Sequence, residues 1–139
     1  MSYTISDLEN LSNKYNLNIH FLKIEDFNKL NKIEDANYIV LIHNKNEDGH
    51  FVAFKKIKNN IFYFDSFGQP PFKRLNHYLT KKGMFYYSYV QIQALNENNC
   101  GLFCIEFLKE INENTNGNIK KILKKYDEYL HKFHIYNIY

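Results

Sequence analysis

Residues 38–43, Tyr-Ile-Val-Leu-Ile-His, constrain the fold more tightly than any other stretch of this chain. The run is apolar up to its final His, with no alternation and hence no polar face. It predicts a central strand buried on both sides. Residues 44–49, Asn-Lys-Asn-Glu-Asp-Gly, are turn chemistry. His50-Phe51-Val52-Ala53-Phe54 resumes as a strand, Lys58-Asn59-Asn60 is a tight turn whose Asn residues tolerate left-handed backbone, and Ile61–Phe64 returns. Residues 50–64 therefore read as an antiparallel hairpin.

A sheet buried on both faces needs helices to cover it. Ser6 and Glu9 have capping-box spacing, and Leu8, Leu11 and Tyr15 follow at helical spacing, which predicts a helix over 6–16. A strand over 18–23 and a helical turn over 25–32 come next. After the break Asp65–Pro71, a helix is expected over 72–82 and a strand over 85–92 from its aromatic and β-branched content. A polar loop, 94–99, leads into a largely buried helix starting at Cys100. Asn114–Asn118 stops it, and a last helix spans 119–132. With no repeat and no linker, residues 1–139 form one domain. The class is α+β, a mostly antiparallel sheet packed against a cysteine-bearing helix.

The composition, 45% hydrophobic and 17% aromatic, supports a core-forming chain rather than a disordered one. A net charge of +3 is too mild to argue for nucleic-acid binding, so weak or no binding is expected. Lys120, Lys121, Lys124 and Lys125 read as a solvated helix face. No apolar run is long enough to span a membrane, and the first residues lack the blocks of a signal peptide. The only two cysteines, Cys100 and Cys104, lie one helical turn apart, too far for a mutual disulfide, and free thiols suit a reducing compartment. Scattered histidines with these cysteines match no metal-ligand spacing, and no cofactor fingerprint is present.

Four residues carry the chemistry. Cys100 falls where a polar loop meets an apolar helix, so the helix N-terminus favours its thiolate. Gly101 lets the backbone pack closely and leaves room for a substrate. His50 opens a strand at the sheet's end, and His43 is its main rival, ahead of His20, His77, His131 and His134. Asp65 ends the strand paired with that of His50, so the hairpin brings the two to one sheet edge. There the carboxylate can orient the imidazole while also initiating the turn. Gln93, at the end of the aromatic strand, can donate its amide to an oxyanion, with the Cys100 N–H as second donor. Cys104 reads as core packing. Phe51 and Phe67 are the expected walls of the substrate cleft.

His50-Phe-Val-Ala-Phe, Tyr63-Phe-Asp-Ser-Phe-Gly-Gln-Pro-Pro71, and Gln93 before Cys100-Gly-Leu-Phe-Cys104 together resemble the adenain family of viral maturation proteases. That family is related to the SUMO-specific proteases. The resemblance covers about residues 36–112. It implies a papain-like cysteine protease fold with His50 as base, Asp65 as third member, Gln93 as oxyanion donor and Cys100 as nucleophile. It further implies cleavage after glycine in viral capsid precursors, by a monomer working in the virion and in the cytoplasm of an infected cell. Phe51 stands where relatives often carry Trp. No cysteine precedes Cys100, so a disulfide-linked activating peptide is not expected, and a non-covalent peptide activator stays open. Two other readings use the same residues or none of them: a protease removing ubiquitin-like modifiers, and an inactive scaffold.

Overall fold

The computed structural model describes residues 3–29, 33–42, 49–71, 73–81, 83–87, 90–92 and 99–134. In chain order, helix α1 (Ile5–Lys14) leads to strand β1 (Ile19–Lys23) and a 3₁₀ helix over Ile24–Lys29. Strands β2 (Ala36–Ile42), β3 (His50–Ile57) and β4 (Asn60–Phe64) follow, then α2 (Lys73–Thr80), β5 (Met84–Tyr86), α3 (Cys100–Asn112) and α4 (Ile119–His134). Among the described residues the strands form one sheet in the order β1-β2-β3-β4-β5.

The expected α+β class holds, but the sheet is mixed rather than mostly antiparallel. β2–β3 and β3–β4 pair antiparallel, while both outer pairings, β1–β2 and β4–β5, are parallel. The reason is connectivity. A 3₁₀ helix crosses between β1 and β2, and α2 crosses between β4 and β5. A crossover returns the chain in the same direction, whereas a tight turn reverses it.

The apolar run behaves as its composition demands. In β2, Tyr38, Val40 and Ile42 face one core while Ile39 faces the other, all of them buried. On one face Ile39, Phe51, Ala53, Phe62 and Phe64 pack against α3, α4 and Leu8 of α1. On the other, Val40, Val52, Phe54, Ile61 and Tyr63 pack against Leu75 and Leu79 of α2. Helix α3 buries Cys104, Ile105, Phe107, Leu108 and Ile111. Each large apolar side chain so buried contributes about 1.5–3 kcal/mol, which outweighs the roughly 1 kcal/mol that a helical glycine such as Gly101 costs.

Three local expectations are corrected. Helix α1 starts earlier than position 6, because the capping box is Thr4 with Asp7. The Asp7 N–H donates to Thr4 Oγ1 at 3.1 Å and the Thr4 N–H to Asp7 Oδ2 at 2.8 Å. The left-handed residue of the β3–β4 turn is Lys58 (φ 52°) rather than an Asn. Asp35 holds it there, accepting the Lys58 N–H at 2.9 Å and the Lys56 ammonium at 2.7 Å. The strand expected over 85–92 is found over Met84–Tyr86, paired with Asn60–Phe62 of β4, and residues 88–89 of the expected span lie outside the described residues.

Candidate active site

The β3–β4 ladder ends at the pair Ala53↔Phe64, and what lies just beyond that pair makes the site. His50 is the first residue of β3, and Asp65 follows the last residue of β4. After Asp65 the chain turns sharply: the Gly68 N–H donates to Asp65 O at 2.9 Å, with Gly68 at φ 69°. The Asp65 carboxylate supports its own turn by accepting the Phe67 N–H at 2.9 Å. The same oxygen, Oδ1, lies 2.7 Å from His50 Nε2. Turn initiation and contact with the imidazole therefore coexist in one residue.

Helix α3 brings Cys100 in from the other side. Cys100 is the first helical residue, after Asn99 as N-cap, and Asn99 makes no side-chain capping bond. The Cys100 thiol lies close enough to His50 for each to act on the other's ionisation. With Nε2 engaged at Asp65, Nδ1 is the ring nitrogen left to serve the sulfur. The Phe51 N–H donates to Cys100 Sγ at 3.4 Å.

The electrostatics of the pair run against burial. Burial alone pulls an imidazole's pKa down, and it is the largest single influence on His50. Hydrogen bonds to Asp65 and Cys100, with the charges of both, overcome it and raise His50 to about 9. Burial likewise pushes the Cys100 thiol up. The hydrogen bonds from His50 and from the Phe51 and Gly101 N–H groups, with the charge on His50, leave it below its ordinary 9.0. The result favours an imidazolium facing a thiolate. Cys104 is the opposite case, since complete burial holds its thiol well above 9.0.

These opposed environments set an expected labelling pattern. Iodoacetamide at neutral pH should alkylate Cys100 much faster than Cys104, with the adduct mapped by mass. Equal rates at the two thiols would contradict the environments described here. They also set a pH profile. Because His50 is raised, its charged form persists through neutral pH and is lost as pH climbs through about 9. On the acid side, any reaction that needs the Cys100 thiolate falls as Cys100 takes up its proton, at a pH below 9.0. The alkaline limb of kcat/KM, which reports groups of the free enzyme, is thus expected near 9. A limb near 6.5 would mean an unassisted histidine.

Two expected residues need correction. Phe51 is no cleft wall: its side chain is 5% exposed and sits in the core with Ile39 and Ala53. It is the backbone of Phe51 that faces Cys100. Gly101 does not open space for substrate either, because a Cβ there would lie 2.9 Å from Leu8 Cδ1. The glycine admits helix α1. Phe67, the other expected wall, is half-buried and stacks on the His50 ring with centroids 4.6 Å apart. Gln93 and the rival base His43 lie outside the described residues, while His20, His77 and His131 are carried by β1, α2 and α4. Among the described residues, no group of three His, Cys, Asp or Glu could hold a metal ion, and no helix is long and apolar enough to cross a membrane.

Among curated proteins, none matches the chain. Residues 2–68, just under half of it, match the Peptidase C39 family. This finding overturns the adenain-type resemblance, because the matching family of cysteine peptidases is a different one, and it leaves the viral setting drawn from that resemblance without support. The block Cys100-Gly-Leu-Phe-Cys104 had suggested otherwise, yet its residues have local reasons to be there. Gly101 clears Leu8, Phe103 packs on the core, and both thiols meet the backbone of Phe51. A block in which four of five residues are explained by local packing does not identify a family. The matched region contains His50 and Asp65 and ends before either cysteine. What residues 2–68 are similar to, a family of cysteine peptidases, supports a cysteine peptidase activity for this chain.

Proposed function

We propose that the chain is a cysteine endopeptidase of papain-like architecture, with Cys100 as nucleophile, His50 as base and acid, and Asp65 orienting the imidazole. The observation that carries the reading is the 2.7 Å contact between His50 and Asp65, made by the same imidazole that is coupled electrostatically to Cys100. The thiolate attacks the scissile carbonyl of a polypeptide, forming a C–S bond. The imidazolium protonates the departing amine as the C–N bond breaks. The now neutral His50 then takes a proton from water, whose oxygen displaces the thiolate and frees the acid.

Gln93 and the Cys100 N–H are the proposed oxyanion donors. Ile92, the residue before Gln93, supports this assignment. Its N–H donates to Ser66 O at 2.9 Å, one residue beyond Asp65. Phe67 is the proposed edge of the substrate cleft, since it covers one face of the His50 ring. A buried Cys104 with a raised thiol is a poor partner for disulfide exchange, so any activating peptide would act without a covalent bond.

An inactive scaffold accounts poorly for this centre. Burial drives both groups toward neutrality, and a domain without chemistry gains nothing from a set of hydrogen bonds that reverses both shifts. The similarity to Peptidase C39 favours neither a structural precursor nor a ubiquitin-like modifier as substrate. The test is a stoichiometric one. Turnover of a peptide library, including peptides with glycine before the scissile bond, is followed while Cys100 is titrated with iodoacetamide. Activity should vanish in step with the fraction of Cys100 alkylated. Cleavage that persists with Cys100 fully alkylated would remove the nucleophile assignment.

A further inference from the structure

Beyond the end of the β3–β4 ladder, the backbone of Phe51 needs partners. Continuing the register past Ala53↔Phe64 would set Ser66 opposite Phe51, but the chain has already turned at Asp65 to reach His50. On the β4 side the amide and carbonyl of Phe51, a residue that is 5% exposed, are thus left without a strand, while on the other side Phe51 stays in register with Leu41 of β2. Buried backbone groups of this kind must be satisfied by something else. Helix α3 supplies it with two sulfurs one turn apart. The Phe51 N–H donates to Cys100 Sγ at 3.4 Å, and the Cys104 S–H donates to Phe51 O at 3.4 Å.

The two contacts are chemically unlike. Cys100 accepts, which suits a thiolate. Cys104 donates, and so must keep its proton. It sits at 0% exposure, where apolar surroundings keep it protonated. One residue is therefore held by the same helix at both of its backbone groups, on the two peptide planes that flank its Cα, and in the extended backbone of β3 a hold on the Phe51 carbonyl restricts where the Phe51 N–H points. A hydrogen bond to the charged form of a thiol favours that form.

We propose that Cys104 is a positioning residue: its S–H, by holding Phe51 O, keeps the Phe51 N–H aimed at Cys100 Sγ and so stabilises the nucleophilic thiolate. This assignment rests on Cys100 being the nucleophile. The general prescription it contains is that an acceptor thiol and a donor thiol at i and i+4 can stand in for a missing strand.

The experiment uses the full chain with Cys104→Val, which keeps apolar volume and removes the donor, and Cys104→Ser, which keeps a donor. In each, iodoacetamide rates at Cys100 are measured against pH with the adducts mapped by mass. Hydrogen exchange of the Phe51 amide is followed in the same samples. For Cys104→Val the expected result is an upward move of the Cys100 alkylation midpoint. Labelling at neutral pH should fall by about tenfold, which corresponds to one pH unit. Cys104→Ser should stay within about twofold of the wild type. In Cys104→Val the Phe51 amide should also lose protection. An unchanged midpoint with an unchanged Phe51 amide would overturn the proposal, as would equal shifts in the Val and Ser proteins, which would indicate packing alone. Should Cys104→Val fail to fold, Cys104→Ala removes the donor without added bulk and carries the same comparison. If wild-type Cys100 reacts no faster than an ordinary thiol, the nucleophile reading falls. The grip is then still judged by the Phe51 amide.

Discussion

Replacing Cys100 with Ala is expected to lower peptide turnover by roughly 10⁶-fold, the scale on which removing a serine nucleophile acts. The size follows from the role. Without the sulfur there is no acyl-enzyme, and His50 and Asp65 have nothing to activate. The substitution also leaves the Phe51 N–H without its acceptor at 3.4 Å, in a buried position. An unsatisfied buried donor costs about 1–3 kcal/mol, so the variant should melt earlier while remaining folded. Thermal melting and turnover are therefore measured on the same preparation. A folded Cys100→Ala protein that still cleaves peptides would end the proposal of covalent catalysis.

The second large effect is expected at Asp65. Asn in its place keeps an oxygen for the Phe67 N–H and removes the charge beside His50. Two consequences follow. The imidazolium loses its counter-charge, so the pKa of His50 drops and the alkaline limb of kcat/KM moves down from about 9. The tautomer is no longer enforced, and the loss in kcat can reach roughly 10⁴-fold by comparison with the same change in a serine protease. The decisive outcome is the combination. A fall in rate with no movement of the alkaline limb would make Asp65 a turn residue only, one that holds Gly68 and Phe67.

Sequence reasoning reached parts of this arrangement and missed others for identifiable reasons. The placing of His50 beside Asp65 was legible because it rests on a hairpin. A turn near Lys58, flanked by two apolar runs, fixes which strand ends meet. The cysteine-bearing helix was legible from the change from polar loop to apolar run at Cys100. The parallel edges were not, because strand periodicity says nothing of direction. The strand–helix–strand orders on either side, β1 to β2 and β4 to β5, were the signal that was available. The start of α1 was ambiguous because Thr4-x-x-Asp7 and Ser6-x-x-Glu9 both fit a cap, and local rules cannot choose between them. The part of Phe51 was hidden altogether. A pattern of side chains cannot reveal that a backbone amide, orphaned by an early turn, is the group that meets the sulfur.

The site also has a history written into its sequence separations. His50 meets Asp65 across 15 residues, while the contacts of Phe51 with Cys100 and Cys104 span 49 and 53. Closing the shorter loop costs less chain entropy, and a hairpin forms on a faster timescale than a long-range docking. Residues 50–65 can therefore bring the His50 imidazole and the Asp65 carboxylate together locally, before the long-range contacts of Phe51 with α3 have formed. At that stage the site has an imidazole and no sulfur. The Cys100 sulfur joins only when α3 packs on β3. The meeting of His50 with Cys100 is thus completed late, and under the function proposed above a chain in which α3 has not docked has no thiolate with which to cut itself or its neighbours.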